Sequence, residues 1–196
     1  MHLLKYDGME PLARRLGALA GRQALAIADL PDHLVLVPVP LWAAKERQRG
    51  FNQAVMLARG AMAEMRRLRP VMRLQLAVDA LERRRATESQ AGLSPHQRRV
   101  NVRGAFSVFR PADIDGRDVL LIDDIYTTGA TARACTKALR SAGAQRVWVA
   151  TVARAQREDT ALQPVEMDFP VEAEAQNTQP AELPMEEDVA FWEDGR

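Results

Sequence analysis

The stretch Val119–Thr131, VLLIDDIYTTGAT, decides the fold. Val119 to Ile122 is a short continuous apolar run, the pattern of a strand buried on both faces, and such strands belong to parallel sheets. The run delivers Asp123 and Asp124 to the strand's open end, where two adjacent acids are not core residues. Thr127, Thr128, Gly129, Ala130 and Thr131 then form a small-residue turn into a helix with Ala132, Cys135, Leu139 and Ala142 on its inner face. The first turn of a helix leaves N–H groups without partners and carries the positive end of its dipole, so this turn makes an anion site. Gly129 permits close backbone approach, and threonine hydroxyls donate further hydrogen bonds.

Working outward, His33 to Pro40, HLVLVPVP, is a second buried strand, closed by prolines and followed by the loop LWAAKERQRGFN. From Asn52 the residues Val55, Ala58, Met62 and Met65 share one helical face. Met9, Leu12, Leu16, Leu19 and Ala20 also recur at helical spacing, which predicts a first helix ending near Gly21 or Asp29 and serving as a cap. A strand near Leu74–Val78, a strand AFSVF and a last strand VWVATVA complete the alternation. Between Leu81 and Gly104 lies a long polar and basic connection, LERRRATESQAGLSPHQRRVNVRG, read as a functional lid because long structureless loops are uncommon in compact domains. For Arg83 to Arg85 two readings stay open, a solvated face and a ligand role within the loop. The expected fold is α/β: a doubly wound parallel sheet with ligands at the carboxyl ends of its strands and a small N-terminal helical hood. Residues 1–30 are the hood, 31–156 the main domain, and 157–196 an acidic tail punctuated by Pro164, Pro170, Pro180 and Pro184, expected to be disordered.

Charge divides the chain in the same place. Residues 1–156 hold 25 Lys+Arg against 14 Asp+Glu, a net +11, whereas residues 157–196 hold 2 against 12, a net −10. A basic body suits a polyanion, either nucleic acid or a phosphorylated small molecule. The single cysteine, Cys135, excludes an internal disulfide and reads as a small core residue, and His2, His33 and His96 have no metal-ligand spacing. No apolar stretch reaches the ~20 residues of a membrane span, so a cytoplasmic protein is expected. The lysine of a nucleotide-triphosphatase phosphate loop is missing. A phosphate site beside carboxylates that suit sugar hydroxyls specifies a ribose 5-phosphate as the ligand class.

VLLIDDIYTTGAT closely resembles the signature of type I phosphoribosyltransferases for 5-phosphoribosyl-1-pyrophosphate (PRPP), with Tyr126 where an aliphatic residue is commoner. The pieces VPVPLWAAKERQRGFNQA, RRRATESQAGLSPHQRRVNVRGAF and LLKYDG resemble the ComF family, relatives of amidophosphoribosyltransferase associated with competence for DNA uptake. The similarity covers roughly residues 3 to 155. Members of that family commonly begin with a cysteine-rich zinc-binding segment, and this sequence starts at about the point where that segment would end, through loss or truncation. The resemblance implies that Asp123 and Asp124 bind the ribose hydroxyls and that Thr127, Thr128, Gly129, Ala130 and Thr131 hold the 5-phosphate. It implies a pyrophosphate loop at Arg49, Gly50, Phe51 and Asn52, aided by Lys45 and Arg47, and a closing loop with Arg84, Arg85, Thr87, Gln90, Arg98 and Asn101. Of these, Asp123, Asp124, Arg49 and Lys45 are the catalytic candidates. Mg2+ is expected to bind through PRPP rather than in a protein cage.

Three functions compete. The first is phosphoribosyl transfer to a nitrogen acceptor, an amine or base, with release of pyrophosphate. The second is a PRPP-binding module without turnover, acting in DNA uptake or regulation, since fold does not imply activity. The third is nucleic-acid binding through the basic body, with single-stranded DNA or the uptake machinery as partners. A homodimer is compatible with all three.

Overall fold

A computed structural model describes residues 10–86, 94–154 and, for the backbone, 190–193. Its elements run α1 (Glu10–Ala24), β1 (His33–Pro38), α2 (Ala43–Arg49), α3 (Gln53–Leu68), β2 (Arg73–Leu76), β3 (Leu81–Arg83), α4 (Pro95–Val102), β4 (Phe106–Val108), β5 (Asp118–Tyr126), α5 (Ala130–Ser141), β6 (Arg146–Arg154) and β7 (Ala190–Glu193). The main sheet has the order β2-β1-β5-β6-β7. Its first four strands are parallel, and β7 pairs antiparallel with β6.

β5 is the central strand because its side chains are apolar on both faces. Val119 and Leu121 enter one core cluster with Cys135 and Leu139 of α5. Leu120 and Ile122 enter the other, with Leu57, Ala61 and Met65 of α3 and Ala13 and Ala20 of α1. Burying each of the Val, Leu, Ile and Met side chains among them is worth about 1.5–3 kcal/mol. The helices therefore cover opposite faces, and the chain extends from β1 to β2 on one side but reaches β5 and β6 on the other. The order of strands reverses between β1 and β5, which is where open α/β sheets form a ligand crevice.

The helix expected as a hood is present, but it packs on α3 and β6 as part of one flanking layer. Its buried face is Ala13, Gly17, Ala20, Gly21 and Ala24, whereas Leu19 is exposed. Small residues let the two helix backbones touch, so the larger Leu12 and Leu16 are displaced to the margin of the core. The same close approach rotates α3, burying Ala54, Leu57, Ala58, Gly60 and Ala61 and leaving Val55 and Met62 half-buried.

Glu64 is also carried into this interface. It accepts from Arg22 at 2.7 Å and from Arg67 at 2.8 Å, which lowers its carboxyl from the ordinary 4.5 to about 2, the hydrogen bond from Arg67 being the larger cause. A depressed carboxylate stabilises the fold above its unfolded pKa, and this contribution is lost as pH falls through the folded value. An E64Q variant is expected to melt below the wild type at neutral pH, with the gap closing as pH drops from about 4.5 towards about 2. Thermal unfolding across that range checks it. A gap independent of pH would remove the ion pairs from the account.

The described parts of the connection from 81 to 104 carry secondary structure. It opens with β3, which pairs antiparallel with β4 to form a separate two-stranded ribbon, and it contains α4. α4 starts with a capping box: Ser94 Oγ accepts from the Gln97 N–H while Gln97 Oε1 accepts from the Ser94 N–H. Thr87 and Gln90 lie outside the described residues, as does residues 157–196 apart from β7. Within that stretch Ala190–Glu193 form β7, in register with Trp148–Thr151 of β6.

Candidate functional site

The crevice between β1 and β5 is built by strands that part at their carboxyl ends. The last β1 residue in register with β5 is Pro38, opposite Ile122, and the Val39 N–H donates to the Ile122 carbonyl at 2.9 Å. Beyond that point β5 continues alone on this side, which frees Asp123 and Asp124 from β1. Each carboxylate accepts from the next backbone N–H: Asp124 N–H to Asp123 Oδ1 at 2.9 Å, and Ile125 N–H to Asp124 Oδ1 at 2.8 Å. Asp123, two residues after Leu121, continues the face that packs on α5. Burial, then the charge of Asp124, pushes the Asp123 carboxyl well above the usual carboxylate range, while the Asp124 backbone N–H and Arg83 pull it down. Burial likewise pushes the Cys135 thiol up, reinforced by Asp123, which keeps this thiol an inert core group as expected.

The turn after β5 ends at Gly129, the residue before α5, in the left-handed region with φ 69° and no side-chain cap. Any other residue would be strained there by the left-handed backbone, and its Cβ would also require the Tyr126 hydroxyl to shift. Tyr126, the departure from the aliphatic pattern, thus lays its hydroxyl against the turn. Thr127 is exposed, and Thr128 Oγ1 is buried without a hydrogen-bond partner, an orphan that suits a phosphate oxygen. The Arg133 guanidinium donates to the Thr128 carbonyl at 2.5 Å and braces the turn from the first turn of α5. Thr131, half-buried, already has a partner in the protein.

On the β1 side the expected loop is partly helical. Lys45, Arg47 and Arg49 lie on the short α2, of which Arg49 is half-buried and the other two exposed. Gly50 ends α2 at φ 77°, and Phe51 is half-buried. Asn52 is buried and occupied at both ends of its amide: Oδ1 caps α3 through the Ala54 N–H at 3.0 Å, and Nδ2 donates to the Val39 carbonyl at 3.1 Å. It therefore fixes the start of α3 to the end of β1 and positions the loop.

The structure brings the acid pair, the threonine turn and the α2 arginines to one end of the sheet. The basic connection is different. Arg84 is exposed and paired with Glu82 at 2.8 Å, Arg85 donates to the Arg103 carbonyl at 2.7 Å, and Arg98 and Asn101 are half-buried on α4. Arg83 is half-buried, with its guanidinium 5.4 Å from the centre of the Phe106 ring. A three-residue strand has too short a period to show which arginine turns inward; only pairing with Phe106 decides it. A cavity of about 1210 Å3 runs elsewhere, along the outer flank of α5 between Val102 and Ser141, and of the expected site residues only Ala130 lines it. The chemistry, not the volume, marks the site.

The family model described as "Phosphoribosyl transferase domain" matches residues 52–181. The chain belongs to this family. Its relatives place it with the ComF proteins: it is 32% identical over 154 residues to the DNA utilization protein YhgH of Escherichia coli O157:H7, covering 76% of this chain and 63% of the relative. Competence protein F of Haemophilus influenzae is 34% identical over 142 residues, 72% of this chain and 59% of the relative. Competence protein ComFC of Bacillus subtilis is 32% identical over 114 residues, 58% of this chain and 41% of the relative. The chain thus spans less than two thirds of these curated relatives. The parallel sheet with flanking helices is the α/β fold of this family. Among the described residues no helix is long and apolar enough to cross a membrane.

Proposed function

We propose that the β1/β5 crevice binds PRPP and that the chain acts as a PRPP-binding domain in competence or DNA utilization, the roles named in its relatives. The observation that carries this reading is the seating of Asp123 and Asp124 one turn before the uncapped start of α5, at the point where the strand order reverses. In it, the ribose hydroxyls donate to Asp123 and Asp124, the 5-phosphate accepts from the turn Thr127–Thr131, and the pyrophosphate lies towards Arg49, with Lys45 and Arg47 nearby. Mg2+ would arrive on PRPP, since it keeps several waters and is usually held by substrate phosphates with one or two carboxylates. Mg2+ bound through PRPP would supply neutralisation of the pyrophosphate charge.

A second reading is favoured by the same acid pair: transfer of the phosphoribosyl group to a nitrogen nucleophile. The anomeric C–O bond to pyrophosphate breaks as the C–N bond forms, through an oxocarbenium-like state. Asp123 and Asp124 would fix the ribose and offset charge on the ring carbon, while Arg49 and Lys45 would take up charge on the departing pyrophosphate. Calorimetric titration with PRPP, with and without Mg2+, followed by pyrophosphate release with amines and bases, tests both. Mg2+-dependent binding without release is the expected result. Release with any acceptor promotes the second reading, and absence of binding removes both.

A further inference from the structure

The amino ends of the parallel strands, opposite the crevice, enclose a second cavity of about 590 Å3. It is lined by His33 of β1, Arg73 and Gln75 of β2, Arg117 just before β5, Asp118 at its start and Gln145 just before β6. Backbone bonds hold this rim in place. The Gln145 N–H donates to the Arg117 carbonyl at 2.7 Å, the Gly116 N–H to the Gly143 carbonyl at 2.9 Å and the Arg73 N–H to the Asp32 carbonyl at 2.7 Å. His33 stands in register with Arg73 on the neighbouring strand.

α3 and α5 also end on this side of the sheet, and cations near a helix C-terminus are ordinarily stabilising on that account alone. Those cations are already engaged. Arg67, with Arg22 from α1, pairs with Glu64; Arg66 donates to the Leu74 carbonyl; Arg69 pairs with Asp32; and Arg140 donates to the Gln145 carbonyl. Arg146 holds Asp118 through both carboxylate oxygens at 3.0 Å each, which balances the acid that lines the cavity. Arg73 and Arg117 lie on no helix, and among the described residues no hydrogen bond or ion pair engages either guanidinium. Of the arginines at this end, the two left without a partner are the two that line the cavity.

We propose that this cavity is a second ligand site, for a small phosphate ester with a polar body, the chemistry shared by nucleoside monophosphates and sugar phosphates. Arg73 and Arg117 hold the phosphate, since guanidinium forks match phosphate oxygens. The Gln75 and Gln145 amides both donate and accept, which suits sugar hydroxyls or the edge of a base. The volume falls within the ~300–1,000 Å3 of small-molecule sites. Asp118 and Asp123 stand at opposite ends of the buried part of β5, roughly 16 Å apart at the rise of a parallel strand, so one ligand does not fill both places. Neither arginine belongs to the proposed PRPP contacts, and the inference stands apart from that reading.

The test is a nuclear magnetic resonance titration of the nitrogen-15-labelled full chain with uridine monophosphate, ribose 5-phosphate and inorganic phosphate. The amides of Arg73, Gly116 and Gln145 report on the cavity, and those of Ile125 and Gly129 on the crevice. At least one ester is expected to shift the first set saturably. In R73A/R117A that affinity should fall about a hundredfold, roughly tenfold for each charged donor lost. R73K/R117K should keep part of it, because lysine carries the charge without the fork. Both arginines are exposed, so the variants should fold, and R73Q/R117Q replaces the alanine pair should that pair unfold. Tighter binding of uridine monophosphate than of ribose 5-phosphate assigns the amides to a base, and the reverse assigns them to the sugar. Shifts confined to the crevice set, or an affinity unchanged in a folded variant, overturn the proposal. Inorganic phosphate binding as tightly as either ester overturns the polar body. Shifts of the first set by a single-stranded oligonucleotide and by neither ester overturn it in favour of a nucleic-acid surface.

Discussion

Replacing Asp123 and Asp124 together by asparagine is expected to abolish PRPP binding while leaving the fold intact. Hydrogen bonds to charged groups contribute about 1.5–3 kcal/mol each, so losing the charge on both acceptors should weaken affinity by ~100-fold or more. Asparagine keeps an Oδ1 to accept from the backbone N–H of the following residue, so the local turn geometry survives. The variant also relieves the burial and repulsion that now push Asp123 up, so its thermal stability should be unchanged or higher. Stability retained with binding lost is the signature of a ligand site rather than a structural pair. In the wild type, affinity should fall with acid earlier than an ordinary carboxylate would allow, because Asp123 protonates above the usual value of 3.8. Calorimetry at several pH values measures both effects. A folded double variant that binds PRPP as tightly as the wild type would sink the ribose assignment.

What the sequence made legible follows from how local each signal is. The strand–turn–helix from Val119 to Leu139 could be read because an apolar run, two acids, a glycine needing positive φ and a helical stripe all lie within twenty-odd neighbouring residues. The crevice was legible for the same reason, since both of its loops follow apolar strands. The inward turn of Arg83 was not, because it depends on a pairing with Phe106 that closes a long connection. α4 did carry a local sign, Ser94 three residues before Gln97, which the polar composition around it masked. The strand β7 had none, being four residues in an acidic stretch, paired only by the sheet edge that β6 offers. The face of α1 failed differently: hydropathy periodicity favours leucines, and the contact there is made by glycine and alanine.

That contact carries the second large effect. A Cβ on Gly17 would lie 2.2 Å from the Leu57 carbonyl oxygen, one on Gly21 2.5 Å from that of Ala61, and one on Gly60 2.4 Å from that of Arg14. All three obstacles are backbone, so no side chain can swing aside and the helices must separate. Alanine for glycine inside a helix ordinarily gains about 1 kcal/mol of propensity. Overpacking of a close interface costs about 1–3 kcal/mol, and here a whole interhelical face moves, so G17A is expected to lose about 2 kcal/mol net. G17L should lose more and approach the limit of a domain whose total stability is of order 5–15 kcal/mol. G50A is the control: its glycine has φ 77° with nothing within 4 Å, so only the left-handed backbone is penalised, at roughly 1–2 kcal/mol. Urea unfolding gives the order wild type, then G50A and G17A, then G17L. The effect should reach the site as well, because α3, displaced by a bulkier α1, begins at Asn52, whose amide ties it to Val39 at the mouth of the crevice. Folded G17A should therefore bind PRPP more weakly than the wild type under identical conditions, and a G17A that is more stable than the wild type would show that the helices do not meet backbone to backbone.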